Sequence, residues 1–299
     1  MKRQLSRREF SLAAGFGLGS LALPSAQGAP ARRLKFGHTG ITWGYQNANA
    51  EQAIKDVASL GYYGFESFGN VIEGWEAQGG LGRVLDEAKL PLISAYCGVN
   101  LSDPAQRSAE VEKLVRWGKL IKKYGGVTAV IGPNNVRRPA YDFAAAKPNI
   151  VAALNDMCKA LNDIGMTGVL HQHTGTCVEM RDEVYAVLDA VDAKYVRFGP
   201  DVGQLQKGGS DPVKVVKDYL PLIRHVHLKD FDGGQYWAQY CPLGKGKVDI
   251  PAVLDLLETQ PELKIVMVEL DPDRTPVPPI ETATTAKEYL KKLGYTFRS

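Results

Sequence analysis

The sequence predicts an α/β protein folded as a single (β/α)8 TIM barrel, on three observations. Eight short apolar segments alternate with amphipathic helical stretches across the ~270 residues after residue 28, the size and rhythm of such a barrel. Gly61, Gly125 and Gly165 each stand just before a strand candidate, where a left-handed helix cap needs a residue without Cβ. No G-x-G-x-x-G follows the first strand, and Gly244-x-Gly246 comes late, in a loop, so the competing doubly wound sheet lacks its fingerprint. In order, the strand candidates are 34–37, 64–67, 92–96, 128–131, 167–171, 195–199, 223–228 and 264–269. They are four to six residues long and mostly rich in Val, Ile, Leu and aromatics, as buried parallel strands are. Helical patterns between them include 105–124, 144–164, 179–191 and 250–258.

Composition narrows the function classes. The chain has 299 residues, 44% apolar and 23% charged, as in soluble globular proteins. Its formal net charge of +3 resides in residues 1–28, where Lys2, Arg3, Arg7 and Arg8 face Glu9 alone. The remainder is neutral and has no electrostatic footprint for a phosphate backbone, so no nucleic-acid partner is expected. Residues 1–28 have the layout of an export signal: a basic start, an apolar stretch from Leu12 to Leu23, and small residues before Ala29. The apolar stretch is too short to span a ~30 Å hydrocarbon core, so no stable membrane insertion is expected. Ser6-Arg7-Arg8-Glu9-Phe10 resembles the twin-arginine signal. That resemblance implies the twin-arginine export machinery as a partner, cleavage near residue 28 and a periplasmic location. The expected domains are the signal, 1–28, and the barrel, 29–299. Cys97, Cys158, Cys177 and Cys241 form no C-x-x-C pair and are expected as buried thiols. A homo-oligomer is compatible with the sequence.

Active sites of such barrels form at the C-terminal strand ends. All five histidines fall at or near predicted strand ends: His38, His171, His173, His225 and His227. Strand alternation puts His225 with His227, His171 with His173, and Ile265, Met267 and Glu269 on common faces. Asp201 closes the sixth strand. His171, Asp201, His227 and Glu269 then converge from neighbouring strands as a two-nitrogen, two-oxygen site suited to a divalent transition metal.

These residues resemble the xylose isomerase-like barrels, a family of sugar isomerases, sugar phosphate isomerase/epimerases, ketose 3-epimerases and inosose dehydratases. His225-Val-His-Leu-Lys-Asp230 is similar to the family's H-L-K-D strand, and Pro242-Leu-Gly-Lys-Gly-Lys-Val-Asp249 to its P-L-G-x-G-x-V-D loop. Val266-Met-Val-Glu-Leu270 resembles the strand of the last metal-binding glutamate. Asp201-Val-Gly-Gln204 resembles a D-x-G-H segment with Gln204 in place of histidine. The resemblance implies one divalent ion, Mn2+ first, with Co2+, Zn2+ or Fe2+ as alternatives. It places Asp201, His227 and Glu269 among the ligands. Leu170-His171-Gln172-His173 departs from the family's L-E-N-H, so His171 stands where a glutamate is expected while His173 keeps a substrate-side histidine.

Loss of one carboxylate leaves Glu269 as the base, with His173 or Lys229 as the acid. The expected reaction is isomerisation or epimerisation of a sugar or keto-sugar, by proton removal beside a carbonyl and an enediolate. Dehydration, hydration or lyase chemistry by β-elimination uses the same first step and is the alternative. A periplasmic carbohydrate-binding barrel without turnover is the rival of another class. The family's apurinic endonucleases fit poorly with a neutral, exported body. His38, Glu66, Trp43 and Trp237 are the candidate substrate contacts, aromatic rings there being able to stack on sugar faces.

Overall fold

The computed structural model describes residues 32–234, 237–272 and 277–299, except the side chain of Trp237. The export-signal expectation falls on residues 1–28, outside the described residues. No described helix is long and apolar enough to cross a membrane.

All eight expected barrel strands are present. In chain order β1 is Lys35–Thr39, β2 Phe65–Phe68, β3 Leu92–Val99, β4 Thr128–Pro133, β5 Thr167–Leu170, β6 Val196–Phe198 and β7 His227–Leu228. A short antiparallel hairpin, β8 (Asp230–Phe231) and β9 (Tyr240–Cys241), precedes the last barrel strand, β10 (Ile265–Val268). The parallel sheet runs β6-β5-β4-β3-β2-β1-β10-β7. Two bridges close it between β6 and β7, Phe198 with Ile223 and Asp201 with His227. His227 N–H donates to the Pro200 carbonyl at 2.9 Å and Arg224 N–H to that of Phe198 at 3.1 Å.

The seventh strand is shorter than the expected 223–228. Its neighbour carries Gly199-Pro200, and Pro200 has no N–H to donate, so the ladder breaks between the two bridges. The hairpin was not foreseen, since two-residue strands leave no periodic signal.

Helices cover the outer face. In Arg107–Lys123, Leu114, Trp117, Gly118 and Ile121 recur at helical spacing and are buried, with Glu110 in the first turn and Lys122 and Lys123 in the last. Asp142 caps Phe143–Asp163 by accepting from Ala145 N–H at 3.0 Å. Gly61, Gly125 and Gly165 adopt φ of 78°, 87° and 75°, the left-handed cap expected of them. One continuous core runs from Leu34 and Phe36 to Leu290 and Tyr295. All four cysteines are buried free thiols, and burial pushes those of Cys158, Cys177 and Cys241 up to about 12.

Candidate active site

The strand ends gather the expected metal ligands. His171 follows β5, held by its backbone N–H to the Ile131 carbonyl at 3.0 Å. Its Nδ1 lies 3.0 Å from the Gly199 carbonyl, so Nδ1 carries the proton and Nε2 keeps its lone pair. Burial, then the neighbouring His227, holds this imidazole well below its usual pKa, so it stays neutral. The rings of His171 and His227 are 4.4 Å apart. Asp201 is the N-cap of the turn Val202–Lys207. One carboxylate oxygen accepts from Gln204 N–H at 3.0 Å, which leaves Oδ2 for other duty. Ligand atoms of His171, Asp201 and His227 lie within 4.8 Å of one another.

His227 stands between two carboxylates. Its Nε2 is 2.7 Å from Glu66 Oε1 and its Nδ1 is 3.0 Å from Glu269 Oε2. Burial opposes charging this ring, but Glu269 and Glu66 raise it well above its usual pKa. Burial likewise opposes ionisation of Glu269, and His227 and Lys229 overcome it.

Lys229 is wholly buried. Its Nζ donates to Asp271 Oδ2 at 2.9 Å and lies 2.9 Å from Asp201 Oδ2 and 2.6 Å from Glu269 Oε1. Burial works against the ammonium, while Asp201, Asp271 and Glu269 raise its pKa well above normal. The ring of Tyr240, brought in by the hairpin, lies 4.6 Å from Nζ.

The site fits a divalent cation. Asp201 Oδ2 and His227 Nδ1 are buried ligand atoms that make no hydrogen bond and face only charged neighbours, Lys229 Nζ at 2.9 Å and Glu269 Oε2 at 3.0 Å. With His171 Nε2 they make the mixed imidazole and carboxylate set that borderline divalent metals favour.

Of the expected ligands, His171 and Glu269 border a cavity of about 340 Å3, and Asp201 and His227 lie behind its wall. Glu66, Glu269 and Asp271 contribute carboxylates to it, His171 and His173 imidazoles, and Tyr96 an aromatic wall. None of its lining residues is Lys or Arg.

His173 reaches the cavity, but its hydrogen bonds leave it no proton to give. Nδ1 donates to the Thr174 carbonyl at 2.8 Å, and Nε2 faces Gln204 Nε2 at 2.6 Å. Gln204 Oε1 accepts from Thr174 N–H at 3.1 Å, from the Thr174 hydroxyl at 2.7 Å and from the Tyr240 hydroxyl. The amide nitrogen of Gln204 is therefore the donor, and His173 Nε2 the acceptor. His173, expected as an acid, thus has its Nδ1 proton engaged by a backbone carbonyl and its Nε2 by an amide.

Glu66 is engaged through both oxygens, Oε2 lying 2.8 Å from His225 Nε2 and accepting from Ser94 Oγ at 2.5 Å. Other expected substrate contacts lie elsewhere. His38 alternates with Thr39, which lines the cavity, and so points into the helix layer. Its ring packs edge-on against Tyr62 and Trp43, with centroids 5.2 and 5.3 Å away. Trp43 donates from Nε1 to Asp56 at 2.8 Å and does not border the cavity. The side chain of Trp237 lies outside the described residues.

The two motifs around residues 230 and 246 turn out to be one unit. Asp230 accepts backbone N–H groups of Gly244 and Gly246 at 2.9 Å and of Val248 at 3.2 Å. A Cβ at Gly246 would come 2.2 Å from Asp230 Oδ1, so this approach requires glycine.

Asp271 escaped the sequence reading, although it sits two residues beyond Glu269 and continues its face. Tyr240 and Ser94 carried no signal, because only the tertiary fold brings them to Gln204 and Glu66.

A family description, xylose isomerase-like TIM barrel, matches residues 54–293. The chain belongs to the xylose isomerase-like TIM barrel family. Among curated proteins of similar sequence is an inosose dehydratase of Clostridium botulinum (strain Alaska E43 / Type E3). It is 25% identical over 268 residues, covering 81% of this chain and 89% of the relative. Among solved structures, the probable 3-DHS dehydratase AsbF of Bacillus anthracis superposes with a TM-score of 0.73 at 15% identity, covering 86% of this chain and 99% of the other. The 3-keto-D-glucoside 4-epimerase YcjR of E. coli gives 0.67 at 16% identity, covering 87% and 98%. The xylose isomerase-like relatives are thus dehydratases and epimerases.

Proposed function

We propose that this chain is a divalent-cation-dependent enzyme that removes a proton beside a carbonyl of a sugar or keto-sugar and then expels a β-oxygen, a dehydratase or lyase reaction. The observation that carries this reading is that, with Glu66 on β2 turned to His225, His227 and Ser94, the other carboxylates bordering the cavity stand on one side. Glu269 and Asp271 arise from the same strand end, whereas β5 presents His171 and His173. One carboxylate face suits removal of one proton, while epimerisation calls for bases on both faces of the substrate.

His171, Asp201, His227 and Glu269 would hold the cation, with Mn2+, Co2+, Zn2+ or Fe2+ as candidates. Bound there, it supplies Lewis-acid polarisation of a substrate carbonyl. Glu269 Oε1, kept ionised beside Lys229, takes the proton. Lys229 Nζ, buried behind the cavity wall, keeps Glu269 and Asp271 charged and oriented, and the proton taken by Glu269 is the one returned to the departing oxygen. Tyr96 shields one wall from water.

Isomerisation or epimerisation remains the second reading, supported by the epimerase among similar folds and by the shared first step. The test is metal analysis followed by turnover of keto-cyclitols and keto-sugars in D2O. One equivalent of metal, weakened by His171→Ala, with an unsaturated product and Glu269→Gln inactive, supports elimination. A deuterated epimer supports the second reading. A folded, metal-free protein without turnover leaves the carbohydrate-binding barrel. Export through residues 1–28 is part of the proposal, and retention of an Arg7→Lys, Arg8→Lys variant in the cytoplasm tests it.

A further inference from the structure

We propose that Glu66, on β2, is a positioning residue that sets which nitrogen of His227 faces the cation. The inference rests on the cation-dependent reading above and adds a residue that does not itself belong to the ligand set.

A neutral imidazole has one N–H and one lone pair, and a cation can use only the nitrogen without the proton. His227 turns Nδ1 toward Glu269, 3.0 Å away, on the side of the expected ligands. Its Nε2 points the other way, 2.7 Å from Glu66 Oε1. A carboxylate at that distance in a buried site favours the proton on the nitrogen it faces, by simple charge attraction. Glu269 attracts a proton to Nδ1 in the same way until a cation takes that side, whereas Glu66, away from the expected ligands, keeps its proton on Nε2, so Nδ1 is the nitrogen that gives its lone pair to the cation.

Glu66 is itself held. Ser94 donates to its Oε2 at 2.5 Å, and His225 Nε2 lies 2.8 Å from the same oxygen. The residue is 2% exposed, so water does not compete for these contacts. Two strands and the approach to a third thus fix one carboxylate against the rear of a β7 ligand: β2 supplies Glu66, β3 Ser94, and the segment before β7 His225. Orientation of metal-binding imidazoles by a carboxylate commonly governs affinity by 10–100-fold.

The experiment strips the full chain with chelator and titrates it with Co2+, reading d–d absorption and heat. Wild type takes up one equivalent. Glu66→Ala binds about 10–100-fold more weakly. Glu66→Gln, whose amide oxygen still accepts an N–H, recovers most of that loss. Glu66→Asp, too short to reach Nε2, stays weak. Melting curves in chelator establish that each variant is folded. If Glu66→Ala does not fold, the order of Glu66→Gln over Glu66→Asp decides. Unchanged affinity in Glu66→Ala overturns the proposal, as do Gln and Asp variants that are equally weak. A wild type without cation uptake overturns the proposal and the cation-dependent reading together, whereas failure of the variants alone leaves that reading standing.

Discussion

Lys229 Nζ donates to Asp271 Oδ2 at 2.9 Å, a bond sealed from solvent on the lysine side, with Asp201 and Glu269 within the same reach. Three carboxylates around one ammonium are tolerable in the interior only while the ammonium is present. Lys229→Met leaves them uncompensated and is expected to cost about 3–5 kcal/mol of stability. Urea unfolding in chelator reads the loss, and added Mn2+ restores part of it. An unchanged midpoint would show that the carboxylates carry no net charge without Lys229.

Asp230 anchors the loop 242–249 through backbone N–H groups of Gly244, Gly246 and Val248. Asp230→Ala leaves the buried N–H of Val248 unpaired, worth about 1–3 kcal/mol, and releases the two partly buried glycine donors. The loop should become a protease-sensitive site and the melting temperature should fall by several degrees. Gly246→Ala should do the same by steric clash. Resistance of both variants to proteolysis would contradict this account of the motif.

Gln204 fixes the proton of His173 on Nδ1 by donating to Nε2. Gln204→Glu replaces that donor with a carboxylate, which calls for a proton on Nε2. The proton of His173 should then move to Nε2, read by the chemical shifts of its ring nitrogens. No change would mean that the amide is not the donor.

Burial lowers the pKa of His38 from 6.5 to about 4. Between those values the unfolded chain binds a proton that the folded chain does not, so acidification favours unfolding. The stability is complete above pH 6.5 and is lost as pH falls toward 4. The loss amounts to about 3 kcal/mol for a shift of this size. His38→Phe should flatten the pH dependence of unfolding across that window, and an unaltered slope would assign it to other groups.

The barrel was legible because each of its signals is local or periodic. Four to six apolar residues, then a helix with one buried stripe, then a glycine cap repeat along the chain, and burial on both faces rewards that pattern wherever it occurs. His171, Asp201, His227 and Glu269 were legible for a related reason: strand alternation and strand order alone place them at one mouth. Family motifs identified Asp230 and Gly246, although not that one carboxylate ties them together.

What a side chain does with its protons was decided only by the tertiary structure. His38 and His171 both end strands, yet alternation and local backbone turn one into the helix layer and the other into the cavity. His173 looks like an acid until the Thr174 carbonyl and the Gln204 amide, the latter oriented by the distant Tyr240 hydroxyl, engage its two nitrogens. Glu66 looks like a free rim carboxylate until His225 and His227 close on it. A hydrogen bond acts over about 3 Å, and sequence carries no measure of distance between residues far apart in the chain. The amino-acid order therefore determined the scaffold and the residues at its mouth, while three-dimensional proximity determined which of them gather as candidate cation ligands, which hold each other, and which face the cavity.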